Sequence, residues 1–64
     1  MKPMYEVRFW NKAGECIAIG GHYSYTFDSY ADAWDAANAL IISAYRHGAV
    51  EMDINNRFHS IVND

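Results

Sequence analysis

The chain has 64 residues, a formal net charge of −3 and only five cations, and 52% of its residues are hydrophobic. A chain this short buries about 60% of its surface on folding, so we expect residues 1–64 to form a single domain with one core. The few cations form no dense basic stripe of the kind that duplex phosphates require, which disfavours direct binding of nucleic acid.

The single cysteine, Cys16, cannot form a disulfide within the chain. A lone thiol fits a reducing compartment, and no apolar run resembling a signal sequence follows the first residues. The apolar stretch Ala39–Ile42 is far shorter than the roughly 20 residues of a membrane helix. We therefore expect a protein of the bacterial host cytoplasm that has no membrane contact and needs no cofactor.

Alternation of apolar and polar residues over 4–10 predicts a first strand. A glycine-containing turn over 11–14 and a second alternating segment over 16–19 complete a predicted β-hairpin. Gly20-Gly21 interrupts the second strand as a bulge or a bend, after which Tyr23, Tyr25 and Phe27 resume the alternation up to Asp28.

A helix is predicted to begin at Ser29, which can cap it, with Asp32 three positions later as in a capping box. Arg46 and His47 complement the carboxyl end of the helix dipole, and Gly48 ends the helix. One apolar stripe at three- and four-residue spacing is expected to face the core; it comprises Tyr30, Ala33, Trp34, Ala37, Leu40, Ile41, Ala44 and Tyr45.

The remaining segment alternates over 50–54, turns at Asn55-Asn56 and returns as a fourth strand. A two-residue loop would pair Ile54 with Arg57, whereas a three-residue loop would pair Ile54 with Phe58 and keep the apolar residues on one face. We prefer the three-residue loop. The predicted fold is α+β, a ββαββ antiparallel sheet with one helix packed across one face.

Residues capable of catalysis are scattered. The spacing of His22, His47 and His59 matches no metal-ligand signature, and Cys16 in an alternating strand is typical of a packed apolar residue. A thiolate nucleophile would also need a positioned base and an oxyanion site. We predict no enzyme, no catalytic residues and no metal site.

The acidic residues offer one possible binding site. Five of them could form a negative patch that imitates phosphates for a basic partner, namely Asp28, Asp32, Asp35, Glu51 and Asp53. The plainer interpretation is helix capping together with a solvated strand face.

Apolar residues that have no place in the predicted core indicate a binding surface more clearly than the acidic residues do. Helical geometry puts Ile42 on the outer face of the helix, and Met4 and Trp10 share the sheet face that a single helix cannot cover. Exposed apolar and aromatic side chains are typical of the centres of interfaces. The predicted partner-binding residues are Ile42, Trp10, Asp35, Arg46, Asp32, Met4 and Ala39.

The helix opening Phe27-Asp28-Ser29-Tyr30-Ala31-Asp32-Ala33-Trp34, placed between two hairpins, resembles small accessory proteins of phages and mobile elements, anti-CRISPR proteins among them. The resemblance covers the whole chain in size, acidity and architecture. It implies a stoichiometric inhibitor that occupies a site on a host defence or regulatory complex. The helix is also similar to those of HicB-type antitoxins, whose acidic, glycine-containing strand pattern this chain lacks.

The leading hypothesis is therefore a binding protein that contacts another protein through Ile42 or Trp10. One alternative is a homodimeric, antitoxin-like regulatory module. Others are a metal-binding module, or a small nucleic-acid-binding protein that stacks bases on Tyr23, Tyr25 and Trp10 beside Arg8 and Lys12.

Overall fold

An antiparallel sheet of five strands and one helix make up the fold of residues 4–61, which are the residues described by a computed structural model. In chain order the elements are β1 (Tyr5–Asn11), β2 (Cys16–Ile17), β3 (Tyr25–Phe27), α1 (Tyr30–Arg46), β4 (Ala49–Ile54) and β5 (Arg57–Ser60). The predicted α+β class and the ββαββ order are confirmed, with the second strand divided into β2 and β3.

Strand β1 lies at the centre of the sheet. Both β2 and β3 pair with one edge of β1, while β4 pairs with its other edge and β5 with β4. The glycine pair explains the divided strand: Gly20 and Gly21 have φ values of 63° and 83°, and Ile19 and His22 exchange backbone hydrogen bonds across them. The pair is therefore a tight turn within a loop over 18–24.

Both predicted ends of the helix are confirmed. The Ser29 hydroxyl accepts a hydrogen bond from the backbone N–H of Asp32 at 3.1 Å, His47 is the C-cap, and Gly48 follows with a φ of 93°. An Asx or Ser oxygen at the N-cap satisfies an otherwise unpaired helix N–H, which explains the start at this residue.

The apolar stripe of the helix is narrower than predicted. Its buried members are alanines, Ala33, Ala37 and Ala44, whereas Tyr30 and Tyr45 are 42% and 58% exposed. Small side chains let the helix approach the sheet closely, so the two tyrosines at the margins of the stripe lie outside the core.

The core lies between the helix and β1 and β4. It consists of Val7, Phe9, Ile19, Ala33, Ala37, Ala44, Ala49, Met52 and Ile54. No helix within residues 4–61 is both long and apolar enough to span a membrane.

The preferred register of the last hairpin was wrong. Ile54 pairs with Arg57 across a two-residue turn, in which Asn55 and Asn56 have φ values of 51° and 69°. Positive φ at both central residues is the geometry of the turn that best matches strand twist, and asparagine tolerates it. As a result Phe58 pairs with Asp53 on the face away from the helix and is 52% exposed.

Candidate protein-binding surfaces

The sheet face opposite the helix, here called the open face, combines charged and aromatic side chains. Alternation along the paired strands assigns to it Glu6, Arg8, Trp10, Cys16, Thr26, Glu51, Asp53 and Phe58. The side chains of β1 and β4 become neighbours on this face only when the two strands pair, and the strands are about forty residues apart in the sequence.

Asp53 lies at the centre of the open face and is completely buried. Its carboxylate accepts hydrogen bonds from Arg8 Nε at 3.2 Å and Nη2 at 3.0 Å, from Trp10 Nε1 at 2.7 Å, and from the backbone N–H of Asn56 at 2.9 Å. A buried carboxylate requires a cation and full hydrogen bonding, and this arrangement supplies both.

Arg8 connects this buried carboxylate to the surface. Its Nη2 also donates to Asn56 Oδ1 at 2.8 Å, its Nε lies 3.7 Å from Glu6 Oε1, and its guanidinium lies 5.1 Å from the centre of the Trp10 ring. Hydrogen bonding to the Asp53 carboxylate raises the pKa of Arg8, against a smaller opposing effect of burial. The guanidinium is therefore held in place in its charged form.

Trp10 and Phe58 complete a rigid aromatic layer. Their ring centres are 6.1 Å apart at an angle of 48°, and the hydrogen bond to Asp53 fixes the indole. The predicted exposure of Trp10 is only partial, because the ring covers Asp53. The sequence analysis considered Arg8 and Asp53 separately but missed their pairing, and it placed Phe58 with the core. The opposite charges of Arg8 and Asp53 were the available signal, but its use depends on knowing that β1 pairs with β4.

The acidic residues do not form one patch. Asp53 is buried and paired with Arg8, so the solvated strand face assumed for it is wrong. Glu51 lies on the open face, whereas Asp32 and Asp35 belong to the helix on the other side of the sheet. Imitation of phosphates by all five acids together is therefore excluded.

The outer face of the helix is a second candidate surface, here called the helix back. Ile42 is 66% exposed and Tyr45 is 58% exposed, and Asp35, Ala39 and Arg46 are exposed as well. Asp32, also exposed, lies in the first turn of the same helix.

The predicted binding residues on the sheet are separate from those on the helix. Trp10 lies on the open face, and Met4, just before β1, is 59% exposed with its carbonyl accepting a hydrogen bond from Asn55 Nδ2 at 3.1 Å. The seven predicted residues therefore belong to two surfaces on opposite sides of the molecule.

The predicted stacking platform does not form. Tyr25 pairs with Val7 and packs against the core on the helix side, while Trp10 points to the open face. Arg8, one of the two cations expected beside it, is committed to Asp53.

A groove lies between the first turn of the helix and the last hairpin. It has a volume of about 430 Å³ and is lined by Tyr5, Tyr30, Ile54, Asn55 and Arg57. Behind it the Tyr30 ring stacks on Trp34 at 6.3 Å with an interplanar angle of 8°.

The histidines serve separate local roles. His22 packs edge-on against Tyr25. His47 Nδ1 is 2.7 Å from the Ser43 carbonyl oxygen. His59 packs edge-on against Trp34, and its buried Nε2 has no hydrogen-bond partner in the described part of the chain. Within residues 4–61 no group of three or more His, Cys, Asp or Glu side chains is placed to hold a metal ion.

The chain matches no protein-family model, no curated protein and no solved structure at a significant level.

Proposed function

We propose that the chain is a non-enzymatic binding protein whose open face contacts a partner protein. The observation that carries this proposal is the rigid cluster of Arg8, Trp10 and Phe58 around the buried Asp53 carboxylate. Tryptophan and arginine are enriched among the residues that dominate binding energy at protein interfaces.

Rigidity favours the open face over the helix back. Immobilising one flexible side chain on binding costs about 0.5–1.5 kcal/mol. Arg8 and Trp10 already have fixed positions through their bonds to Asp53. Ile42 is two-thirds exposed and no hydrogen bond fixes its side chain. The free energy needed to order that side chain would therefore reduce the affinity for a partner.

The role that fits best is inhibition in the bacterial cytoplasm, by occupying a site on a host defence or regulatory complex. The support for it is the small size and negative charge of the chain, together with its resemblance to phage accessory proteins.

Affinity capture from nuclease-treated bacterial lysate tests the proposal. The tagged chain is compared with Phe58→Glu and with Ile42→Glu, which makes the matching change at an exposed apolar residue of the helix back. Trp10 is left intact because it binds Asp53. We expect one stoichiometric protein to be retained by the unchanged chain and by Ile42→Glu, and to be lost from Phe58→Glu.

Other outcomes contradict the proposed surface. Loss of the partner from Ile42→Glu alone would assign binding to the helix back. A light-scattering mass of two chains that falls to one in Phe58→Glu would assign the open face to a homodimer instead.

A further inference from the structure

The groove lined by Tyr5, Tyr30, Ile54, Asn55 and Arg57 has polar groups that remain available for a ligand. Asn55 does not supply them, because its Oδ1 accepts from the Glu6 N–H and its Nδ2 donates to the Met4 carbonyl. Within residues 4–61 no ion pair involves Arg57, and no hydrogen bond involves the hydroxyl of Tyr5 or Tyr30. All three groups can donate hydrogen bonds, and none of the described residues that line the groove is acidic.

The walls of the groove are aromatic and fixed. Tyr5 and Tyr30 meet edge to face with ring centres 5.9 Å apart, and Trp34 supports Tyr30 from behind. An aromatic ring of a ligand can pack against such walls while an anionic group reaches Arg57.

We propose that this groove binds a carboxylate next to an aromatic ring, presented by a peptide segment of a partner protein. A single cation suits one carboxylate, whereas phosphate sites use several charged or backbone donors, and the net charge of −3 opposes a dianion. The groove is open on one side, so it encloses a free small molecule less completely than ordinary ligand sites do, and such a molecule should bind only weakly. A peptide held by further contacts does not need that enclosure.

The site is independent of the open face, because it lies on the helix side of the sheet and shares none of the residues Arg8, Trp10 or Phe58. Failure of one proposal therefore leaves the other standing.

Amide chemical shifts of the isotope-labelled protein test the groove, with N-acetylphenylalanine as the carboxylate probe and its neutral amide as the matched control. We expect saturable shifts at Tyr5, Tyr30, Asn55 and Arg57 with the carboxylate probe at millimolar concentration. The neutral amide should bind at least about fivefold more weakly, since it lacks the charge-assisted bond to Arg57.

Two variants identify the source of the selectivity. Arg57→Gln should bring the affinity for the carboxylate down to that for the amide. Lys12→Gln, which removes the same charge from the turn after β1, at the opposite end of the strand from Tyr5, should leave the affinity for the carboxylate within about twofold, because exposed charges are screened beyond a Debye length of about 10 Å.

Four results would overturn the proposal: equal binding of both probes, shifts located elsewhere, no saturable shift, or full retention of selectivity in Arg57→Gln. Tighter binding of phenyl phosphate than of the carboxylate would also overturn the choice of a carboxylate.

Discussion

At Asp53 the chain places a buried negative charge on the face of the sheet that the helix leaves uncovered. Arg8 supplies the opposite charge and is itself about one-quarter exposed. The two partners are therefore unequal: an unpaired Arg8 could turn its charge toward water, whereas an unpaired Asp53 could not. Removing the arginine is the sharper test of how this cluster is held together.

We expect Arg8→Met to lower the free energy of unfolding by about 3 kcal/mol, the lower end of the range for breaking a buried pair, because water reaches part of Arg8. Urea denaturation at neutral pH measures the change. Arg46→Met, at an exposed position in the last helical turn, should change stability by less than about 0.5 kcal/mol. A loss below about 1 kcal/mol in Arg8→Met would mean that the pair is not a main support of the open face.

The pH dependence of the arginine contribution follows from the direction of its pKa shift. Asp53 raises the pKa of Arg8 in the folded protein, so the stabilisation is complete below the ordinary arginine pKa and is lost only as pH rises through the higher folded value. Arg8 stays charged at mildly alkaline pH. When urea denaturation is repeated there, titration of Arg8 should therefore not reduce the difference in the free energy of unfolding between the unchanged chain and Arg8→Met.

Among the elements, the turn between β4 and β5 decides which residues reach which face. Asn55 combines a left-handed backbone with two side-chain bonds to the segment preceding and opening β1, at 2.9 and 3.1 Å. The turn thus fixes the hairpin register and also attaches the hairpin to the central strand.

Two substitutions at Asn55 separate these contributions. Asn55→Ala should cost about 2 kcal/mol, since it loses the hydrogen bonds and also places alanine at a positive φ. Asn55→Gly should cost about 1 kcal/mol, because glycine accepts this backbone and only the bonds are lost. Denaturation of both variants measures the difference, and equal losses would show that the backbone angle contributes nothing.

The same turn shows how far the sequence could predict the structure. Local signals were sufficient for the helix, where Ser29 and Gly48 mark the ends by their own chemistry. They failed for the last hairpin, because placing Phe58 with the core assumed that every apolar residue belongs there. Phe58 instead packs on Trp10, and that contact depends on the long-range pairing of β1, β4 and β5.

On the scale of the whole molecule, the central position of β1 makes the two ends of the chain interdependent. One edge of β1 pairs with β2 and β3, which follow it directly in the chain. The other edge pairs with β4, which comes only after the helix. Strand β4 also contributes Ala49, Met52 and Ile54 to the core. The open face likewise requires both halves, because Arg8 and Trp10 come from β1 and Asp53 from β4.

We therefore expect a fragment of residues 1–48 to show no cooperative unfolding transition in urea when followed by circular dichroism. It lacks the strand that pairs with one edge of β1 and three members of the core, and a chain of that length is already marginal. Adding a peptide of residues 49–64 should restore the transition by pairing with β1, whereas the same peptide with Met52→Glu should not, because the charge would enter the core. A sharp transition in the fragment alone would show that the hairpin β1–β2, β3 and the helix form a stable unit, and that the open face is built onto a domain already folded without it.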